Sequence, residues 1–302
     1  MGMDLVPFGG WERNARIVCN DVEMIVTLEV GPRVISFGFS GGPNMFAVHE
    51  ADAGKSGGDQ FHSYGGHRLW IAPEEPLRTL RPDNDPVEYT VDGEEYVFTS
   101  PPDEYHTQKQ IRIISDPANS RFVLVHRVYN HGAYPIELSA WAPTQCSGGV
   151  VLFPQAPFES HSDRLLPTRP IVMWGYTKLQ DSRWTWGDHV VRLRHDSSLG
   201  PQKIGALVEQ GYAACVNGGN MFLKRFPYTP GATYPDFNSN FETFTRQDML
   251  EIETLGPMVT VGCGDYVEHQ ETWYLLKDQT IPEDDATCGA WFADIAERHP
   301  LT

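Results

Sequence analysis

The chain has 302 residues, 40% of them hydrophobic and 21% charged, the composition of a folded globular protein rather than a disordered one. Its net charge of −17 argues against a nucleic-acid backbone or an anionic membrane as partner, and means that an anionic ligand would need a local cationic patch. Aromatic residues make up 12%, including 8 tryptophans, more than core packing usually needs, so part of them is expected in a binding surface. The 5 cysteines, widely spaced and without a paired zinc spacing, read as buried thiols of a reducing compartment. With no basic leader and no apolar run of about 18–20 residues, the expected location is cytoplasmic.

Taken in chain order, the hydrophobic period is two almost everywhere. The opening "VEMIVTLEVGPRVISFGF" predicts two short strands hinged at Gly31-Pro32. "VEYTVDGEEYVFTS" predicts a hairpin turning at Asp92-Gly93. β-rich runs follow at "QIRIISD", "RFVLVHRVYNHG", "IELSAWAP", "VVLFP", "HVVRLRHD", "GYAACVNGGNMFLKRF", "MLEIETLGPMVTV" and "YVEHQETWYLLKD". Helical spacing is confined to "GAWFADIAERH" near the C-terminus and a short helix expected near Gln202. Gly, Pro, Asn and Asp clusters punctuate the strands, with no linker composition to cut the chain. The expected architecture is all-β, one large antiparallel β-sandwich spanning residues 1–302 with few short helices. The segment "FESHSDRLLPTRPIVMWGYTKLQDSRWTWGDH" is the least regular and suits the rim of a cleft.

Several groups of residues carry possible chemistry. In "YGGHRLWIAPEE" strand alternation puts Arg68 and Trp70 on one face and His67, Leu69 and Ile71 on the other. His67 is then a core histidine, unless a bulge at Gly65-Gly66 re-aims it into a cleft. Trp70 offers a flat face for sugar C–H groups, Arg68 a fork of donors, and the Ala72-Pro73 turn carries Glu74 to the same rim. In "MLEIETL", Glu251 and Glu253 share a strand face. That face is either solvated or, inside a cleft, one where mutual repulsion and desolvation raise one pKa and favour a general base. Asp236 and Glu242 in "YPDFNSNFETF" suit sugar hydroxyls better than Ca²⁺, since the ordered calcium-loop spacing is missing. Lys109 and Lys203 are either surface lysines or, with Arg68, the cationic patch of an acidic substrate. No metal site, phosphate loop, dinucleotide fingerprint or nucleophile elbow stands out, so no cofactor is expected.

The segments "NDVEMIVTLEVGPRVISFGF", "GGHRLWIAPE" and "MLEIETLGPMVTVGCGDYVEHQETWYLL" resemble the galactose mutarotase-like superfamily, most closely a bacterial family of uncharacterised function within it. The resemblance extends over nearly the whole chain, through "DNDPVE", "SRWTWGD", "PQKIG" and "YPDFNSNFETFT". It implies a large β-sandwich, often called a supersandwich, and a sugar as ligand. The family's glutamate base lies in a Leu-Glu-Thr stretch, so "IET" implies Glu253 in that role. Its early histidine beside a glycine pair implies His67 as the acid, while "IELSAWAPT" lacks the second histidine of the aldose enzymes. The implied activity is a cofactor-independent epimerase or mutarotase, with Arg68, Trp70, Glu74, Lys109, Lys203, Asp236, Glu242 and Glu251 holding the sugar. A lyase or hydrolase for a uronic-acid-containing saccharide, with Arg68 and Lys109 on the carboxylate, and a non-catalytic sugar-binding protein are the alternatives.

Overall fold

The computed structural model describes residues 3–302. Two large sheets, every strand pair antiparallel, dominate it. The first is a 12-stranded sheet running Asp4–Phe8, Trp11–Cys19, Val22–Thr27, Arg33–Phe39, Gly66–Arg68, Ile136–Cys146, Met249–Leu255, Phe241–Arg246, Gln202–Ala206 and Ile171–Met173. Trp70–Ala72 and Val259–Val261 also pair onto the long Ile136–Cys146 strand. The second sheet has 10 strands, with Tyr266–Leu276, Arg121–Asn130 and Thr107–Asp116 near its middle. Among the described residues no helix is long and apolar enough to cross a membrane.

Alternation drives this arrangement, because each strand turns one apolar row toward the other sheet. Between the sheets Phe37, Phe46, Phe122, Phe222 and Trp273 form an aromatic cluster, with Phe37–Trp273 ring centroids 5.4 Å apart. The C-terminal helix Asp285–Arg298 covers the far face of the 10-stranded sheet, setting Phe292 and Ile295 on Tyr212 and Leu223. It begins four residues before the expected "GAWFADIAERH", because the Asp284 carboxylate accepts from Thr287 N–H at 2.8 Å and caps an earlier turn. The expected hairpin forms one residue later than read, with Asp92 paired to Glu95 and Gly93 (φ +59°) opening the turn.

The short helix expected near Gln202 is instead the strand Gln202–Ala206. It pairs with Ile171–Met173 on one side and Phe241–Arg246 on the other, and those ladders outweigh any local helical preference. Four of the cysteines are buried, while Cys263 is exposed, at a turn that closes before Tyr266.

Candidate functional site

Five neighbouring strands of the 12-stranded sheet turn their second, outward faces into one cleft. In the ladders Thr144 pairs with His67, Trp141 with Trp70, Pro143 with Glu253, and Glu253 with Glu242. This register puts Arg68 opposite Pro143, so Arg68, Pro143, Glu253 and Glu242 form one row across the sheet. A parallel row holds Gln145, Glu251, Phe244 and Lys203. At the spacing of neighbouring strands, the Arg68 and Glu253 backbones lie roughly 9–10 Å apart. The cleft has a volume of about 300 Å³ and is lined by Phe61, Ser63, Arg68, Trp70, Glu74, Trp141, Gln145, Tyr176, Lys203, Phe244, Arg246, Met249, Glu251 and Glu253. That mixture, aromatic walls with a few convergent polar groups, is the ordinary make-up of a small-molecule site.

Glu253 is 1% exposed. Its Oε2 accepts from Trp141 Nε1–H at 2.9 Å and faces Lys203 Nζ at 3.5 Å, while Oε1 has no hydrogen-bond partner. Burial pushes its pKa up to about 7; Lys203 pulls against this and Glu251 adds to it. Beneath it, Glu242 is fully buried with Oε2 at 2.7 Å from Lys203 Nζ, and burial raises it well above the usual carboxylate range despite that ammonium. Burial alone would lower Lys203, but attraction to Glu242 and Glu253 outweighs it and holds the lysine above its ordinary value. Two carboxylates thus share one ammonium, which favours retention of a proton between them. Lys203 also sits 4.7 Å from the ring centres of both Trp141 and Trp174.

Arg68 forms the opposite wall. Its guanidinium lies over the Trp70 ring at 3.5 Å and faces Phe61 at 5.5 Å. It is 3% exposed, yet Nε and Nη1 have no partner. Burial lowers it to about 9, which leaves it cationic at neutral pH. Glu251 is oriented differently, by a chain in which His49 Nε2–H donates to Gln145 Oε1 at 2.8 Å and Gln145 Nε2–H donates to Glu251 Oε1 at 2.8 Å.

The structure therefore gathers Arg68, Trp70, Glu74, Lys203, Glu251 and Glu253 around one cleft, with Glu242 directly below. His67 is elsewhere, and the expected His67–Glu253 acid–base pair does not form. His67 is fully buried on the inner face of the sheet, its ring edge-on to Trp273 at 4.7 Å. Plain alternation holds, and the glycine pair does not re-aim it. A Cβ on Gly65 would stand 2.1 Å from Ala47 O and one on Gly66 2.2 Å from Val34 O, so those glycines serve close backbone approach. Lys109 also misses the cleft. It lies on the second sheet, in a separate small cavity beside Asp83 and Asp103. Asp236 sits half-buried in the turn Pro235–Asn238, outside the cleft lining, and reaches it only by pushing Glu242 further up.

His67 belongs to a polar chain between the sheets. A carbonyl only accepts, so His126 Nδ1–H donates to His269 O at 2.9 Å, and His67 Nε2–H donates to the remaining nitrogen, His126 Nε2, at 2.7 Å. Thr144 hydroxyl then serves His67 Nδ1 at 2.8 Å. His67, His126 and Glu271 bring one donor atom each within 4.8 Å of one another, the spacing of a metal site. These atoms are spent on protein partners, Glu271 receiving Lys224 Nζ at 2.8 Å, Trp273 Nε1–H at 2.7 Å and the Thr254 hydroxyl. The residues fit a closed hydrogen-bonded core better than a metal.

Sequence reasoning missed Trp141, Gln145, Trp174 and Tyr176. The alternation of Trp141, Pro143 and Gln145 was the available signal for two of them, since it places them on one strand face. Tyr176, whose hydroxyl burial pushes up to about 12, comes from the irregular segment that suited a cleft rim.

With this geometry in place, the fold is the galactose mutarotase-like one. It is similar to a galactose mutarotase-like protein from Lactobacillus casei at 10% identity, covering 87% of this chain and 100% of that one, with a TM-score of 0.56. It is similar to the Slr1438 protein from Synechocystis at 10% identity, over 92% of this chain and 100% of that one, with a TM-score of 0.58. A candidate aldose 1-epimerase from Klebsiella pneumoniae matches at 13% identity over 99% of this chain and 87% of its own, with a TM-score of 0.57. No family model matches the chain, and no curated protein matches it by sequence.

Proposed function

We propose that the outward cleft binds a sugar ring and interconverts its anomers or epimers by proton transfer, with Glu253 as the general base. The observation that carries this reading is a buried carboxylate with one free oxygen, a pKa near 7, and an ammonium at 3.5 Å, set among aromatic faces. A base poised near the working pH is the useful kind. The anomeric hydroxyl and the ring oxygen are bonded to the same carbon, so the groups serving them can be neighbours. Glu253 takes the proton of the anomeric hydroxyl while Lys203 donates to the ring oxygen. The bond between the anomeric carbon and ring oxygen breaks, leaving a carbonyl and a ring-opened hydroxyl. Rotation about the adjacent carbon–carbon bond presents the other carbonyl face. Closure and return of both protons then give the inverted anomer. Glu242 keeps Lys203 charged, and the more open rings of the lining, Phe61, Tyr176 and Phe244, offer surfaces for the sugar's C–H face. The likeness to a candidate aldose 1-epimerase supports the reading at the level of fold.

The test is NMR exchange spectroscopy between anomers over a panel of sugars. The wild-type chain is expected to accelerate exchange for at least one of them, and Glu253→Gln to lose roughly 10²–10⁴ of that acceleration while still binding. Exchange that survives Glu253→Gln would overturn the assignment.

A further inference from the structure

The sharpest unmet demand in the molecule belongs to Arg68. Four other deeply buried cations have a carboxylate beside them: Arg33 on Asp83 at 2.7 Å, Arg183 on Asp181 at 2.9 Å, Lys203 on Glu242 at 2.7 Å and Lys224 on Glu271 at 2.8 Å. Arg68 opens on the cleft with Nε and Nη1 unbonded, at 3% exposure. Asp83 gives its Oδ2 to Arg33, the residue paired with Arg68 on the neighbouring strand, and forms no ion pair with Arg68. The stacking on Trp70 fixes the guanidinium plane without meeting any of its N–H groups. A desolvated, pre-oriented fork with no anion is costly to leave empty, and a planar carboxylate matches it in charge and shape.

Resting on the reading that the cleft binds a sugar, we propose that this sugar is an acid, a uronate-type ring whose carboxylate is held by Arg68 while its anomeric carbon lies toward Glu253. The row across the sheet favours this division. The cation and the base stand two strands apart with only Pro143 between them, leaving room for one ring. A phosphorylated sugar fits less well. Its second negative charge would meet Glu74, Glu251 and Glu253, while the charge of Lys203 is already shared by two carboxylates.

The experiment is calorimetric titration of the whole chain with galacturonate and glucuronate, with galactose and glucose, and with glucose 6-phosphate. The uronates are expected to bind roughly 10–100-fold more tightly than their neutral parents, the range of a hydrogen-bonded charge pair. Arg68→Gln is expected to abolish that difference, and Arg68→Lys to retain part of it. Thermal melting checks that both variants fold. The proposal is overturned if no uronate binds better than its neutral parent, if the preference survives Arg68→Gln, or if glucose 6-phosphate binds best. Failure here is separable from failure of the acid–base reading. Arg68-dependent uronate binding without anomer exchange would sink only the catalysis. Exchange of neutral sugars together with no preference for any uronate would sink only the carboxylate.

Discussion

The same strands build two polar layers that behave oppositely. On the inner face His67, His126, Thr254, His269, Glu271 and Lys224 bond to one another so fully that, of the donors and acceptors named, only His269 Nδ1 is left without a partner. On the outer face, one residue along in each case, Arg68 and Glu253 keep unspent groups. Both layers are deeply buried, so burial does not distinguish them. Saturation does: a satisfied network fixes a fold, whereas buried polar groups without partners call for another explanation, which the proposed sugar would supply.

That contrast is open to attack from either side. The largest stability effect should come from the inner layer. Lys224→Met leaves the fully buried Glu271 without its counter-charge, and urea denaturation should show a loss of about 3–5 kcal/mol. His67→Asn should cost less, about 1–3 kcal/mol, by breaking the bonds to Thr144 and His126, and should leave anomer exchange within a few-fold of wild type.

Acid should attack the inner layer too. Burial depresses His67 well below its ordinary value and His269 to about 3. Unfolded histidines bind protons near pH 6.5 while these folded ones do not, so stability is full above that pH. It should fall as the pH drops from about 6.5 toward 3, by up to about 1.4 kcal/mol per pH unit for each histidine. Melting curves across that range check it; a flat profile would remove the buried neutral imidazoles from the account.

The cleft has the opposite sign. Glu253 has its folded pKa raised, so the folded state binds the proton more tightly than the unfolded chain. Its contribution to stability is present below the ordinary carboxylate range and is lost as pH climbs through about 7. The rate of exchange should move the other way, rising through about pH 7 to a plateau as the base ionises. The smallest effect expected is that of Arg68→Gln on stability, about 1 kcal/mol or less, because the stacking on Trp70 is lost but no ion pair or hydrogen bond of Nε or Nη1 is. A large loss would show that Arg68 serves the fold.

Much of the fold could be read from alternation. The same alternation put His67 with Leu69 and Ile71, and the sheet keeps it there; reading Gly65-Gly66 as a device for re-aiming it led away from that result. The glycines answer to Ala47 and Val34, contacts made by segments distant in sequence. Lys203 was visible as a cation, but its meeting with Glu242 and Glu253 depends on the order in which three strands line up. Trp141 and Gln145 became cleft residues only through pairing with both Trp70 and Glu251. Strand faces are local information; which faces are neighbours is not.

The most direct test sets the two layers against each other in one assay, anomer exchange by NMR on Glu253→Gln and His67→Asn below their melting temperatures. If the outward cleft does the chemistry, the first variant is inert and the second turns over near the wild-type rate. An active Glu253→Gln beside a dead, folded His67→Asn would place the reaction on the other side of the sheet.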